Sequence, residues 1–260
     1  MRLLFIILSL SLFLGGCVTS ETVVTTKNGG GGKPSEFDPK GAAETRVKLA
    51  LLYMRDDHMQ AAKENLDMAF EYQPNDSDVL RIFAYYYQRV NEIETAESYY
   101  KRSLRSDPKN ADTYNNYGTF LCKLERYEEA EKAFLQAVDI STYANVANTY
   151  ENAAVCAEKA QDLEKAVYYY EYALSHNPNK IYINLSLAKL NIDRKDYGAA
   201  RLNLYKYQSK GKVSAESLWQ WIRLSYATEK GASLSKYAGQ LLEQFPDSKR
   251  ALDYLNHEYY

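Results

Sequence analysis

The chain has 260 residues, of which 46% are hydrophobic and 25% charged, and its formal net charge is −2. That apolar content is ample for a packed core. The near balance of charge speaks against nucleic acid as a partner, because a protein that binds phosphate backbones carries a clear positive excess or patch.

Met1 and Arg2 lead an apolar run over 3–14 that ends in Gly15-Gly16. One positive charge, an apolar run and small residues before a cut form a secretory signal, predicted over 1–16. The run is too short for a membrane span, which takes about 20 residues. Leu14-Gly15-Gly16-Cys17 resembles the bacterial lipobox, so Cys17 is the expected lipidation site and the first residue of the mature chain. Loss of Arg2 with the signal leaves 31 basic residues against 34 acidic ones. Val18 stands where an aspartate retains many Gram-negative lipoproteins in the inner membrane, so the resemblance implies an outer-membrane anchor on the periplasmic face. Residues 17–42 read as a tether: the stretch 20–34 is rich in Thr and Gly, ends near Gly29-Gly30-Gly31-Gly32, and lacks the apolar content to pack.

From there a period governs the chain. Pro74, Pro108, Pro178 and Pro246 fall 34, 70 and 68 residues apart, close to one, two and two copies of a 34-residue unit. Such a period marks helix–turn–helix repeats stacked into a solenoid. The predicted units are 43–76, 77–110, 111–144, 147–180, 181–214 and 215–248, within a repeat domain covering 43–260. Within the third unit Ala130, Phe134, Ala137 and Val138 keep helical spacing on one face. Asp107-Pro108 and Asn177-Pro178 sit where a helix should stop, since the residue before proline is pushed out of the α region. The third unit has Thr142 in place of its proline, and the phase slips there by two residues, which predicts a longer turn over 143–147. The last unit is degenerate, with Ser235 and Gly239 at expected packing positions, and the tail 251–260 is a candidate for one more short helix. A single unit cannot bury its own apolar stripe, so the units must stack.

Small residues recur at Ala50, Ala62 and Ala69, at Ala84, Ala96 and Ser103, at Gly118, Ala130 and Ala137, and at Ala154, Ala166 and Ala173. These resemble the tetratricopeptide repeat, in which small side chains let two antiparallel helices approach closely. The resemblance implies an all-α, right-handed superhelical solenoid of about six helix pairs. Among 25 tyrosines, runs such as Tyr85-Tyr86-Tyr87 and Tyr168-Tyr169-Tyr170 read as packing residues with half-exposed phenols rather than as a stacking surface for a ligand.

With Cys17 lipidated, Cys122 and Cys156 remain for an oxidising compartment. Both fall on first helices of adjacent units, and two readings fit: a disulfide, or two buried thiols packing as small hydrophobes. No catalytic constellation stands out. His58, His176 and His257 have no ligand spacing, the glycine run precedes no phosphate-binding motif, and acidic clusters such as 125–131 read as solvated helix faces. The expectation is therefore no enzyme, no metal, no cofactor and no small-molecule substrate.

Asn115-Asn116-Tyr117-Gly118-Thr119-Phe120-Leu121-Cys122, then Tyr127-Glu128-Glu129-Ala130-Glu131, then Glu151-Asn152-Ala153 and Cys156 lie behind the lipobox. This string resembles the PilF/PilW family of type IV pilus biogenesis and stability lipoproteins. The resemblance implies a pilotin-like role: binding subunits of the outer-membrane secretin and promoting their localisation or multimerisation. Stacked first helices would line a concave groove into which Arg81, Tyr85, Gln88, Asn115, Thr119 and Glu151 point toward a bound segment. The alternative for these six is a solvated surface, and Asn115 and Asn116 also suit side-chain hydrogen bonds that fix a turn. Two other functions remain open at this point: a general outer-membrane adaptor for cell-wall enzymes or outer-membrane protein assembly, and an enzyme or carbohydrate binder built on a solenoid.

Overall fold

A computed structural model describes residues 37–211 and 213–259; the signal segment, Cys17 and the tether up to residue 36 lie outside the described residues. The described residues form thirteen α-helices and no strand. The first three pairs are α1 (Pro39–Arg55) with α2 (Met59–Tyr72), α3 (Ser77–Arg89) with α4 (Ile93–Ser106), and α5 (Ala111–Lys123) with α6 (Tyr127–Val138). Then come α7 (Val146–Lys159) with α8 (Leu163–His176), α9 (Ile183–Asp193) with α10 (Tyr197–Lys210), α11 (Ala215–Ala227) with α12 (Gly231–Gln244), and the single helix α13 (Lys249–Leu255).

The tether was expected to reach residue 42, but α1 begins at Pro39. Asp38 causes this: its carboxylate accepts from the Lys40 N–H at 3.1 Å, and Pro39 supplies a φ already suited to the first helical position. The proline-marked boundaries fall where helices stop, with Asp107 and Asn177 capping the C-termini of α4 and α8. Where the proline is missing, α6 ends at Val138 and α7 starts at Val146. The longer turn therefore runs over 139–145 rather than 143–147, and Ala147 is already helical. Inside it the Tyr143 N–H donates to the Ile140 carbonyl at 2.9 Å, and the Tyr143 hydroxyl meets the buried Thr149 hydroxyl at 2.9 Å.

Each of the six paired first helices turns into its partner through a three-residue corner whose middle residue is left-handed. These are Asp57, Asn91, Glu125, Gln161, Lys195 and Glu229, with φ of 60, 63, 60, 61, 63 and 54°. None is glycine, although this conformation ordinarily favours it. The next N–H closes a six-to-one hydrogen bond onto the helix just ended, as from His58 to the Tyr53 carbonyl (2.8 Å) and from Asp196 to that of Asn191 (2.7 Å).

The small residues are the contact points. Ala50, Ala62, Ala69, Ala84, Ala96, Ala130, Ala154, Ala166 and Ala188 are all fully buried. At Gly118 a methyl group would meet the Phe134 ring at 2.7 Å and the Ala130 carbonyl at 3.1 Å, so this crossing admits only hydrogen. Ser103 stands at an alanine position and keeps its hydroxyl satisfied, with the Ser77 carbonyl at 2.7 Å and the Thr113 hydroxyl at 2.8 Å. In the last pair Ser235 and Gly239 face outward, and Ala238 and Leu241 do the packing. The tail helix starts at Lys249, two residues before the expected stretch. Of the tyrosine runs, Tyr169 and Tyr170 are buried while Tyr168 is 50% exposed.

Candidate functional site

First helices of successive pairs lie side by side from α1 to α7 and again from α9 to α13, and the surface of the first run carries a groove whose largest stretch is about 540 Å³. This largest stretch is lined from α3 by Arg81, Ile82, Tyr85 and Gln88, and from α5 by Asn115, Asn116, Thr119 and Lys123. Leu51 of α1, Tyr100 of α4 and Asn152 of α7 complete it. Five of the six residues picked out by repeat position thus share one groove. The sixth, Glu151, is turned to the neighbouring seam, where it accepts from the Lys180 ammonium at 2.6 Å and the Tyr182 hydroxyl at 2.8 Å.

The groove is polar by its carboxamides rather than by net charge. The Asn152 amide donates to the Asn115 side-chain oxygen at 2.9 Å, which fixes both groups across the α5–α7 interface. The Gln88 side-chain oxygen accepts from the Tyr100 hydroxyl at 3.1 Å, and burial pushes that phenol well above its usual value. Arg81 is held by Asp78 at 2.9 Å, and the Thr119 hydroxyl donates back to the Asn115 carbonyl at 3.0 Å. The Asn116 carboxamide, the Tyr85 hydroxyl and the Lys123 ammonium make no hydrogen bond among the described residues. Asn115 and Asn116 sit within α5 and do not fix a turn. A carboxamide offers donors and an acceptor together, so a row of them matches the alternating N–H and C=O of a peptide.

Repeat position alone missed Asn152 and Lys123. The surface is straddled by adjacent residues of each helix, as the Asn115-Asn116 pair already hinted, whereas a rule of single positions selects one residue of each pair.

On the second run of first helices, from α9 to α13, the surface changes character. A cavity of about 330 Å³ is lined by Lys189, Asp193, Gln220, Arg223 and Arg250 among others. Here the charges pair across repeats: Lys189 with Glu158 at 2.8 Å, Arg223 with Asp193 at 2.7 Å and Arg250 with Glu216 at 2.7 Å. A disulfide joins Cys122 of α5 to Cys156 of α7, with Cα atoms 5.8 Å apart. The described residues contain no group of His, Cys, Asp and Glu placed to hold a metal, and no helix among them is long and apolar enough to cross a membrane.

Models of the tetratricopeptide repeat match residues 82–110 and 110–179. Type IV pilus assembly protein PilF of Pseudomonas aeruginosa is 31% identical over 242 residues, which is 92% of this chain and 92% of that protein. The chain belongs to the PilF family. The solved structure of Pseudomonas aeruginosa PilF superposes with a TM-score of 0.70 at 28% identity, covering 84% of this chain and 99% of the other. The crystal structure of PilW, a widely conserved type IV pilus biogenesis factor, gives a TM-score of 0.70 at 25% identity, covering 82% and 98%. As a PilF family member the chain is a tetratricopeptide-repeat scaffold of type IV pilus biogenesis.

Proposed function

We propose that this PilF family scaffold acts as a pilotin: a non-catalytic adaptor, lipid-anchored at Cys17 in the outer membrane and facing the periplasm, that binds secretin subunits and promotes their multimerisation. The observation that carries the reading is the carboxamide-lined groove across α3, α5 and α7, in which Asn116, Tyr85 and Lys123 keep free hydrogen-bonding groups. The Tyr85 ring and the apolar side chains of Leu51 and Ile82 give the bound segment an anchor, and the carboxamides pair with its backbone. The lipobox at 14–17 supports the anchor.

Deleting the gene should abolish SDS-resistant secretin multimers and surface pili. Wild-type chain should restore them, whereas the Asn115→Ala/Asn152→Ala chain should fold and fail. Normal multimers and piliation in the deletion strain would overturn the reading. Cys17→Ser should leave a folded chain in the soluble periplasmic fraction; recovery of that variant with the outer membrane would remove the lipid anchor from the proposal.

A further inference from the structure

The first helices place large side chains at the same two seam positions, with one exception. At the seam between the second and third pairs, α5 and its corner place Tyr117, Phe120, Leu121, Leu124 and Arg126, of which Tyr117 and Arg126 reach Glu97. The Arg126 guanidinium bridges Glu97 at 2.8 Å and Glu129 at 2.7 Å, and the Tyr117 hydroxyl donates to Glu97 at 2.9 Å. Thirty-six residues on, in α7 and its corner, the same five places hold Ala153, Cys156, Ala157, Ala160 and Asp162. The other first helices keep large side chains at the first two of these places: Phe83 and Tyr86, Leu187 and Leu190, Trp221 and Leu224. Only α7 has small ones.

The result is a cavity of about 310 Å³ between α6, α7 and α8 that shares no residue with the carboxamide groove. Phe134, Ala153, Ala157 and the Cys156 half of the disulfide give it an apolar floor. Glu131 takes the place of Glu97 and is partly answered from within, by Lys165 at 2.6 Å and the Tyr169 hydroxyl at 2.5 Å. The rim adds Glu128 and Asp162. Glu128 makes no hydrogen bond among the described residues, and Asp162 uses one oxygen to cap α8 through the Lys165 N–H at 3.0 Å. Three carboxylates therefore face a single ammonium, at a seam where an acid stands in the place that Arg126 fills one repeat earlier.

We propose that this cavity is a second binding site, which receives an arginine side chain from a protein partner. The internal template is Arg126: a planar fork shared between two carboxylates, beside a phenol. In the α6–α8 cavity the aliphatic stem would lie on Ala153, Ala157 and Ala160, and the guanidinium would span Glu128 and Asp162 next to the Tyr127 ring. Arginine fits better than lysine because a fork can address two carboxylates at once, and its weaker hydration favours a partly apolar site.

The test is NMR titration of the full-length chain, followed through the methyl signals of Ala153, Ala157 and Ala160, with N-acetylarginine amide, N-acetyllysine amide and N-acetylcitrulline amide as probes. The arginine probe should shift these methyls saturably, with the other two binding at least about tenfold more weakly. The Glu128→Gln/Asp162→Asn chain keeps the helix cap, since asparagine caps as well as aspartate. It should lose about tenfold in arginine affinity, the scale of one charge-assisted hydrogen bond. Ala157→Leu restores the residue found at the equivalent place in α5 and should block the probe while an unchanged amide spectrum elsewhere reports a native fold. No saturable shift with the arginine probe, equal binding of all three probes, or undiminished binding by the double variant would each overturn the proposal.

Discussion

The two halves of the first-helix surface use the same scaffold for opposite ends. From α3 to the start of α7 the groove shows carboxamides and a phenol that the protein leaves partly unsatisfied; from the end of α7 to α13 it shows ion pairs that bind each repeat to the next. A surface that spends its polar groups on itself has little left for a partner. A surface that holds them in place through one internal bond, as Asn152 does for Asn115, keeps them ready. On the function proposed above, recognition falls to the N-terminal half of this surface, while in the C-terminal half its charges are spent between repeats. Stability in such arrays is roughly a sum over units and their neighbour interfaces, so each half can be perturbed separately.

The disulfide offers the largest separation. It closes a loop of 34 residues around the end of the groove, and Cys122→Ser/Cys156→Ser should cost about 3–4 kcal/mol on the chain-entropy account. Hydrogen exchange should accelerate in α5–α7 and hardly change in α11–α13; equal acceleration throughout would mean that the halves unfold as one. Next comes Gly118→Ala, where a methyl group runs into Phe134 behind the groove. Urea unfolding should show a loss of about 1–3 kcal/mol in spite of the better helix propensity of alanine.

Smaller still is the effect of Glu97, which lies at the seam beneath the groove half. Hydrogen bonding from Arg126 holds its carboxyl at about 2 against the opposing effect of burial, with Lys101 and Tyr117 adding to the stabilisation of the anion. Its folded value is depressed, so its contribution is fully present above its ordinary value near 4.5 and is lost as pH falls toward 2. Glu97→Gln should lower stability at pH 7 by about 1–2 kcal/mol and flatten the decline between pH 5 and 2, since the site is partly screened by solvent. Least of all, Arg223→Gln in the paired half should cost about 0.2–1 kcal/mol, less in high salt, and should leave capture of secretin by the groove intact. A loss of capture with this variant would erase the division between the halves.

Much of the fold could be read from residue spacing. Pro74, Pro108, Pro178 and Pro246 locate four seams because proline cannot continue a helix, and the alanines at fixed intervals announce the close crossings. The missing proline at Thr142 revealed the odd seam but not its edges, because the extra residues gather before α7, where Tyr143 folds back onto Thr149. The left-handed corners were silent, as aspartate, asparagine, glutamate, glutamine and lysine fill them where glycine would have been a signal. Of the groove, Tyr85, Gln88 and Asn115 were legible from repeat position. Glu151 was not, since its direction is set by Lys180 and Tyr182 across the following seam. The α6–α8 cavity is written in the chain as five small-for-large exchanges, yet only the neighbouring arrangement of Arg126 and Glu97 gives those exchanges a chemical meaning.

The corners also say how a molecule of this kind changes length. Each spans three residues without exception from α1 to α12, while the seams between pairs vary from four residues to seven. The corner is therefore the constant element among the described repeats, and the seams between pairs take up the differences in length. The 139–145 seam is the longest of them and shifts the phase of the later repeats, whose corners still span three residues each.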